Sequence, residues 1–481
     1  MDKTRRTLAA MTACGAVALG LGLLGAAPSA TAAHPAIGKR SVTKSPPGKF
    51  VQVGAVNVET GVPGVLETAS HHGFVAWPTN SGGAAKILVS TVSPSGSISA
   101  AKTALSGWDA IGGQITLVPG NQQPQVIFAG IGPVPDNLNC VYVATGTALP
   151  WSVENGSLSQ DCVNPEPAGA AGGLGELGAA WAGAGLKFHV DLDPNVPATS
   201  ADGTIAAPAT VAGSGMTFSP SDRAFWVAWG QTNGGGSDGF WVRNVNPSAT
   251  QVKMPGTGTH SIDAVSNPGD LPFTSTPQGP FLVACSNKAT NCHLMLWRFG
   301  ATKAMTVPKS VAPNNAAVAP GPLGRIWVAW GVRSNDTVRV TRTNKKDTRF
   351  GAVHTYRTAC LTGPIVAISG PANGAAVLAV ECGAGKTVKP TVFATRVLPG
   401  LSEHLSAHQL ANTSSHTLSV KVTDAGDAVP GAKVSFHGST KKTDSHGTVS
   451  FGVPRHLATG KYPVVAKRAG YLPARSTLKV T

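Results

Sequence analysis

The chain has 481 residues, of which 42% are hydrophobic and 13% charged, a balance that excludes a disordered low-complexity chain. Its 58 glycines and 36 prolines separate short apolar runs, a pattern that favours an all-β protein of more than one domain. The formal net charge is +15, and residues 414–481 alone hold ten Lys and Arg against three Asp. Such a basic end favours a partner with an anionic surface, while a cationic module without a particular partner remains the alternative.

The N-terminus has the three parts of a secretory signal peptide. Residues 1–6 are charged, residues 8–27 are apolar, and Ala30-Thr31-Ala32 fits the small-residue cleavage site. We therefore expect residues 1–32 to be removed near Ala32 and the protein to be secreted, with 33–47 as a flexible N-terminal tail. No second long apolar segment follows in the sequence, so no membrane span is predicted.

One apolar strand pattern recurs along residues 48–402. Its clearest copies are Phe-Trp-Val-Ala-Trp-Gly at 225–230 and Ile-Trp-Val-Ala-Trp-Gly at 326–331. Aligned on the residue after the repeated alanine, the copies are 45 to 56 residues apart, at Trp77, Gly130, Trp181, Trp229, Cys285, Trp330 and Val380. A period near 50 residues is typical of β-propeller blades and similar arrays.

Other apolar runs flank the recurring strand on both sides. Residues 365–368 precede it with a tight turn between them, and residues 240–242 and 337–340 follow it after a polar loop. Strand, turn, strand, loop, strand is an antiparallel meander, the core of a propeller blade, with the recurring strand in second place. The sequence therefore predicts a six- or seven-bladed β-propeller over 48–402, with seven favoured by the seven copies. Two β-sandwiches with similar strands remain the alternative.

Two of these repeats also carry a family resemblance. Residues 328–331 with 338–343, and residues 225–245, resemble the repeats of sialidase-like (BNR-type) propellers. The resemblance implies the propeller fold, and a sialidase needs an arginine triad, because the guanidinium group binds both oxygens of a carboxylate. Here no Arg occurs between Arg40 and Arg223, and 343–350 is at most a remnant of the family's aspartate box.

The arginines of the repeat region form a pattern of their own. They recur on the predicted third strands, at Arg243, Arg298, Arg339 and Arg396. Recurrence from one blade to the next indicates a structural role more than a binding site. We therefore predict no catalytic residues, and the sequence indicates no cofactor.

Six cysteines follow the signal peptide, and an even number in an exported protein favours disulfides. The repeat places them in three local pairs, at the ends of neighbouring strands or on either side of a hairpin. Each pair can meet across adjacent strands, so we predict the disulfides Cys140–Cys162, Cys285–Cys292 and Cys360–Cys382.

The end of the chain has a different pattern. Residues 403–413 are predicted to be a linker, and alternating strands follow in 414–481. The Pro-Gly-Ala-x-Val turn at 430–434 and the Thr-Asp-x-x-Gly-x-x-x-Phe hairpin at 443–451 resemble carboxypeptidase-regulatory-like and bacterial Ig-like β-sandwich modules. The resemblance implies a small β-sandwich that serves as a non-catalytic spacer or adhesive module.

Two groups of side chains are candidate ligand contacts in the propeller. His189, Asp191 and Asp193 alternate along one predicted strand and would share a face, where imidazole and carboxylates could bind a divalent cation. A solvated strand face that ends in an Asp-Pro-Asn turn is the interpretation we favour. Trp108 and Trp151 lie outside the recurring strand and are candidates for stacking on a sugar or peptide, whereas Trp229 and Trp330 are expected in the core.

Two functional hypotheses follow. The first is a secreted, non-catalytic binding or adhesion protein, in which the propeller presents a ligand and the basic β-sandwich spaces or attaches it. The second is an exported sialidase-like enzyme, a glycoside hydrolase or lyase. The expected partner is a cell-wall or extracellular polysaccharide or another anionic polymer, and no nucleic acid is expected. A purely structural surface protein is a third possibility. Arginines, tyrosines and carboxylates clustered at the central channel would favour the enzyme, and a channel of small apolar residues would favour binding.

Overall fold

A computed structural model shows an all-β chain in which Ser41–Thr481 forms one unit. It describes residues 43–44, 48–55, 62–80, 84–120, 123–132, 139–153, 168–171, 176–183, 185–191, 200–205, 210–232, 236–264, 271–288, 292–360, 363–370, 374–383 and 390–481. The predicted signal peptide lies outside these residues, as does most of the predicted tail. Among the described residues, no helix is long and apolar enough to cross a membrane.

The strands of the N-terminal half form four antiparallel sheets, after two short N-terminal strands, β1 (Thr43–Lys44) and β2 (Val51–Ala55). The first sheet contains β3 (Gly64–Glu67), β4 (Gly73–Thr79), β5 (Ala85–Val92), β6 (Ser97–Ile98) and β7 (Lys102–Trp108). The second contains β8 (Ala110–Val118), β9 (Gln125–Ile131), β10 (Asn139–Thr145) and β11 (Ser152–Val153). The third contains β12 (Ala168–Ala171), β13 (Leu177–Gly183), β14 (Gly185–Asp191) and β15 (Ser200–Ile205). The fourth contains β16 (Thr210–Ser219), β17 (Ala224–Thr232), β18 (Gly239–Asn244) and β19 (Val252–Lys253).

Three more sheets complete this part of the chain, after a short helix α1 (Thr259–Ala264). The fifth contains β20 (Phe273–Thr276), β21 (Gly279–Cys285), β22 (His293–Arg298) and β23 (Met305–Val311). The sixth contains β24 (Pro313–Pro320), β25 (Ile326–Val332), β26 (Thr337–Arg342) and β27 (His354–Arg357), with a 3-10 turn at Pro322–Gly324. The seventh contains β28 (Ile365–Ser369), β29 (Ala376–Cys382) and β30 (Thr391–Val397).

The seven recurring segments are the second strands of the seven sheets, as the repeat predicted. They are mostly apolar because neighbouring sheets cover both of their faces, and every residue of β25 is buried. Trp229 and Trp330 are both fully buried, which confirms that they belong to the core. Side chains between sheets thus provide the packing that one isolated sheet could not supply.

The first strands of successive sheets contact one another in a closed ring, from β3 through β8, β12, β16, β20 and β24 to β28 and back to β3. The N-terminal strand β2 pairs antiparallel with β30 and becomes the outer strand of the seventh sheet. The N-terminal segment therefore joins the two ends of the repeat region, a pairing that the sequence analysis did not predict. The fold is a β-propeller.

The C-terminal part is a β-sandwich. One sheet contains β31 (Ser402–Leu405), β33 (His416–Asp424), β34 (Asp427–Ala428) and β37 (Thr448–Val453). The other has the order β32 (Gln409–Leu410), β39 (Ala474–Val480), β38 (Gly460–Lys467), β35 (Lys433–Phe436) and β36 (Ser439–Lys442). A single apolar core lies between them, including Leu418, Phe436, Phe451 and Leu478.

The stretch predicted as a linker, 403–413, differs from that expectation. It supplies most of β31 to one sheet of the sandwich and β32 to the other. These strands are polar and short, and they pair at sheet edges, where one face of a strand can remain exposed. Residues Thr43–Lys44 of the predicted tail likewise form β1, which pairs with β6.

Two of the three predicted disulfides join described cysteines. Cys285 is bonded to Cys292 with their Cα atoms 5.5 Å apart, and Cys360 is bonded to Cys382 with their Cα atoms 4.8 Å apart. Cys140 is buried and is also in a disulfide, whereas Cys162 lies outside the described residues.

Candidate functional site

The ring of first strands surrounds a cavity of about 110 Å³. Its described lining comes from the segments 62–65, 115–117, 271–273, 315–318 and 366–368, most of it backbone and apolar side chains. The polar side chains among these residues are those of Thr116 and Asn315. Asn315 is bonded to the backbone of Val366 through both amide atoms, donating to its carbonyl and accepting from its N–H. The described lining therefore offers no acid, base or guanidinium group to a ligand.

The recurring arginines lie on third strands, away from this lining. Arg243 donates to the carbonyls of Asn246 and Pro247 in its own turn, and Arg339 donates to the carbonyl of Lys309 at 2.5 Å. Arg298 is exposed. Arg243 thus holds a turn that follows its own strand, and Arg339 joins the sixth sheet to the outer strand β23 of the fifth.

Arg396 has the most extensive set of partners, and it joins the seventh sheet to the first. Its guanidinium donates to the Glu67 carboxylate at 2.7 Å and to the carbonyls of His71, Val92 and Ser93. The side chains of Arg396 and Glu67 are 4% and 0% exposed. Burial raises the pKa of Glu67 to about 7, although the hydrogen bond and charge of Arg396 oppose that shift. This ion pair therefore stabilises the contact between the first and seventh sheets, where the propeller closes.

A second buried cluster joins the propeller to the sandwich. Arg342, at the end of β26, forms a bidentate pair with Asp424, at the end of β33. Arg325 lies 3.5 Å from the same carboxylate and 2.5 Å from that of Asp427. The side chains of Arg325, Arg342 and Asp424 are at most 6% exposed. The sandwich is therefore docked on the propeller by a four-residue charge cluster, in which only Asp427 is partly exposed.

Other contacts support this docking. The Arg342 guanidinium donates to the carbonyl of Gly374 and lies over the rings of Trp327 and Tyr471, 5.2 and 5.6 Å from their centroids. Leu472 donates its backbone N–H to Pro399, and Leu401 donates back to Leu472. The sandwich is thus held by backbone, aromatic and ionic contacts together.

The turn at 343–350, the predicted remnant of an aspartate box, belongs to this contact. Thr343 and Phe350 form an antiparallel bridge, and the Thr343 hydroxyl donates to Asp347 at 2.6 Å. Burial raises the pKa of Asp347 to about 6, with the Thr343 hydrogen bond opposing the shift. The backbone N–H of Lys345 donates to Asp427 at 2.9 Å. The turn thus contacts the sandwich and lies outside the cavity lining.

The aromatic candidates for sugar stacking are in the core. Trp108 and Trp151 are 6% and 4% exposed, so neither offers a ring face to a sugar. Trp108 packs edge-on against Phe128 and Tyr142, with centroids 4.9 and 4.6 Å away. The proposal of stacking at these two positions is wrong, because they lie between the first and second sheets even though they fall outside the recurring strand.

Two of the three candidate metal ligands, His189 and Asp191, lie on the third sheet. The predicted strand is β14, in which His189 is half-buried and pairs with Ala179 and Asp202 of the neighbouring strands. Asp191 ends β14, and Asp193 lies outside the described residues. Among the described parts of the chain, no group of three His, Cys, Asp or Glu could hold a metal ion. The favoured interpretation, a solvated strand face, therefore stays a prediction, with the cation site as its alternative.

No protein family and no curated protein matches the sequence. Among solved structures, a fungal alcohol oxidase in complex with copper is 13% identical, with 91% of this chain and 100% of that chain covered, at a TM-score of 0.43. A polysaccharide lyase is 8% identical, with 71% of this chain and 91% of that chain covered, at a TM-score of 0.44. The six-bladed fucose lectin of Aleuria aurantia is 10% identical, with 58% of this chain and 89% of that chain covered, at a TM-score of 0.37. Similarities this distant carry no inference about function.

Proposed function

We propose that the protein is a secreted, non-catalytic binding protein, in which a β-propeller scaffold carries a basic β-sandwich that attaches it to an extracellular polysaccharide. One observation carries the proposal. The buried arginines Arg325, Arg342 and Arg396 bind carboxylates at the propeller closure and at the docking contact, and none of these arginines is part of the described lining of the central cavity. A sialidase-like enzyme would need those groups to converge on a substrate.

We infer seven blades from the seven sheets and from the closed ring of their first strands. The resemblance of the C-terminal sequence to carboxypeptidase-regulatory-like or Ig-like modules is supported by two sheets around one core. The sequence of the N-terminus and the disulfides support secretion. The docked sandwich favours an attachment module over a freely moving spacer.

The test is a panel of neutral and anionic polysaccharides incubated with the protein, in which mass spectrometry reads retention and cleavage products together. We expect the protein to be retained on anionic polysaccharides and the polysaccharides to show no new chain ends, which cleavage would create. Cleavage products would overturn the proposal in favour of the hydrolase or lyase hypothesis.

Two variants sharpen that test. Glu67→Gln and Asp347→Asn remove two carboxyls whose pKa is raised by burial, to about 7 and about 6, and both groups are structural in the proposal. Loss of a cleavage activity in either variant, with the fold intact, would identify that carboxyl as a catalytic group. Absence of retention on every polymer would also contradict the proposed function.

A further inference from the structure

We propose that the outer face of the five-stranded sheet of the sandwich is a docking surface for a linear anionic polysaccharide. This basic face consists of the outward side chains of Lys433, Lys442, Lys461, Lys467, Arg475 and Lys479, all of them exposed. The inference rests on the proposed function and deepens it, because it assigns the attachment to named residues.

Strand alternation places these six cations on one side. In β38 and β39, Val464, Ala466 and Leu478 point into the core, so the residues between them point outward. Lys441, which alternates with Lys442 on β36, instead reaches the carbonyl of Ser450 and the ring of Phe451 in the other sheet. The cations of the basic face are therefore on the opposite side from the core.

The strand register brings the lysines close together. Lys433 pairs directly with Lys442 on one side and with Lys467 on the other, so three lysines form one row across three adjacent strands. Adjacent strands lie about 4.8 Å apart. Lys461 pairs with Lys479 at the other end of the face, about 20 Å along β38 at about 3.4 Å per residue. The face thus has a cationic group at each end.

This arrangement has a cost in stability. Like charges directly opposite one another on a sheet are destabilising, and soluble surfaces usually intersperse both signs. The sequences of β35, β36, β38 and β39 contain no Asp or Glu. A partner of opposite charge gives a reason for keeping three lysines in one row.

The structure also makes the module more basic than its sequence suggests. Of the three Asp in 414–481, Asp424 and Asp427 are bound to propeller arginines, which leaves Asp444. The outward positions of the other sheet are mostly neutral, such as Thr417, Ser419 and Ser450. The positive charge is therefore concentrated on the five-stranded sheet.

The chemistry of the face favours a polysaccharide. Lysine ammonium groups are compact, hydrated point charges that respond to charge density more than to the shape of one anionic group. The outward positions hold no aromatic side chain on which a nucleic-acid base could stack. Their apolar members are Pro463 and half-buried Val465, which offer little surface for insertion into a membrane. A linear polyanion can lie along the face and contact both cationic groups.

The test compares two full-length variants of equal net charge. Lys433, Lys442 and Lys467 are changed to Gln in one, and the exposed propeller lysines Lys102, Lys288 and Lys303 are changed to Gln in the other. Binding is measured on immobilised polygalacturonate and dextran sulfate across a salt series, with uncharged dextran as the blank. Duplex DNA and vesicles containing phosphatidylglycerol test the other partner classes.

We expect the face variant to bind about 100-fold more weakly, at about fivefold per lysine near an anionic surface, with a shallower salt dependence. The propeller variant should stay within about threefold of the wild type, since isolated exposed charges contribute little to binding. Equal losses in both variants would show a response to net charge alone and overturn the docking surface. Tighter binding to DNA or vesicles, with the same lysine dependence, would overturn the choice of polysaccharide.

The same samples separate this inference from the proposed function. Cleavage of polygalacturonate would refute the non-catalytic function while leaving a lysine-dependent face in place. Retention without cleavage, and without a difference between the variants, would refute the face and leave the proposed function standing. Urea unfolding checks that both variants fold, and the face variant should be at least as stable as the wild type because it loses opposed like charges.

Discussion

Replacing Asp424 by Ala tests whether the buried charge cluster holds the sandwich on the propeller. The Asp424 side chain is 2% exposed and faces both Arg342 and Arg325. Without it, two guanidinium groups remain buried with one fewer carboxylate. Removing one partner of a buried ion pair costs about 3–5 kcal/mol, because the remaining charge is left uncompensated.

The lower end of that range applies here. Arg325 keeps Asp427 at 2.5 Å, and Arg342 keeps the carbonyl of Gly374 and its two ring contacts. We therefore expect the free energy of undocking to fall by about 3 kcal/mol. Because about 1.4 kcal/mol corresponds to a factor of ten, local opening should become about 100-fold more frequent.

Amide hydrogen exchange measures that opening. The amide of Lys345 donates to Asp427, and the amide of Leu472 donates to Pro399, so both should exchange about 100-fold faster in the variant. The amide of Thr443, bonded to Ala432 within the sandwich, reports unfolding of the module itself and should change much less. Asp109→Ala removes an exposed carboxylate and is the matched control. Exchange of Lys345 and Leu472 within threefold of the control would refute the role of the cluster.

Two further predictions concern the propeller. The pKa of Glu67 is about 7 in the folded state, above its ordinary value of 4.5. The folded protein therefore binds a proton at Glu67 more tightly than the unfolded chain does. As a result, the free energy of unfolding should fall as the pH rises from about 4.5 to 7. Glu67→Gln is neutral at every pH and should remove this part of the difference between urea unfolding at pH 5 and pH 8; an unchanged difference would contradict the assignment. Trp108→Ala should lower the free energy of unfolding by about 3–5 kcal/mol, as for other buried aromatics, without weakening polysaccharide retention of the folded fraction. Lost retention in a folded Trp108→Ala sample would restore the stacking role.

The blade repeat could be predicted because its physical cause is local. A second strand covered on both faces is mostly apolar, and β17 and β25 share nearly the same run of six residues for that reason. The two fully described disulfides were also predictable, since their cysteines are 7 and 22 residues apart, in or shortly before strands that are neighbours in one sheet. A short-range pattern and a fixed period are enough to locate features of this kind.

The pairings that close the propeller and dock the sandwich on it leave no short-range pattern in the sequence. Strand β2 pairs with β30, more than 300 residues later, and Arg396 meets Glu67 across a separation of 329. Arg342 and Asp424 are 82 residues apart. Nothing in the composition around these residues distinguishes a buried ion pair from exposed charges of the same kind. The sequence therefore identifies which residues are charged but not which charges neutralise one another.

The docking contact changes what the basic module can contribute to binding. A module on a flexible linker would sample many orientations, and a second contact by the same polymer would be limited by the linker. Here β31 is part of the sandwich, and Arg325 and Arg342 fix the sandwich against the sixth sheet. The lysines of the basic face are therefore held at a constant position relative to the propeller. When a polymer bound to them also touches a propeller loop, no flexible linker has to be ordered, so this second contact carries no such entropy cost. Loosening the cluster through Asp424→Ala should leave binding of short oligosaccharides unchanged and weaken only polymers long enough to reach both parts.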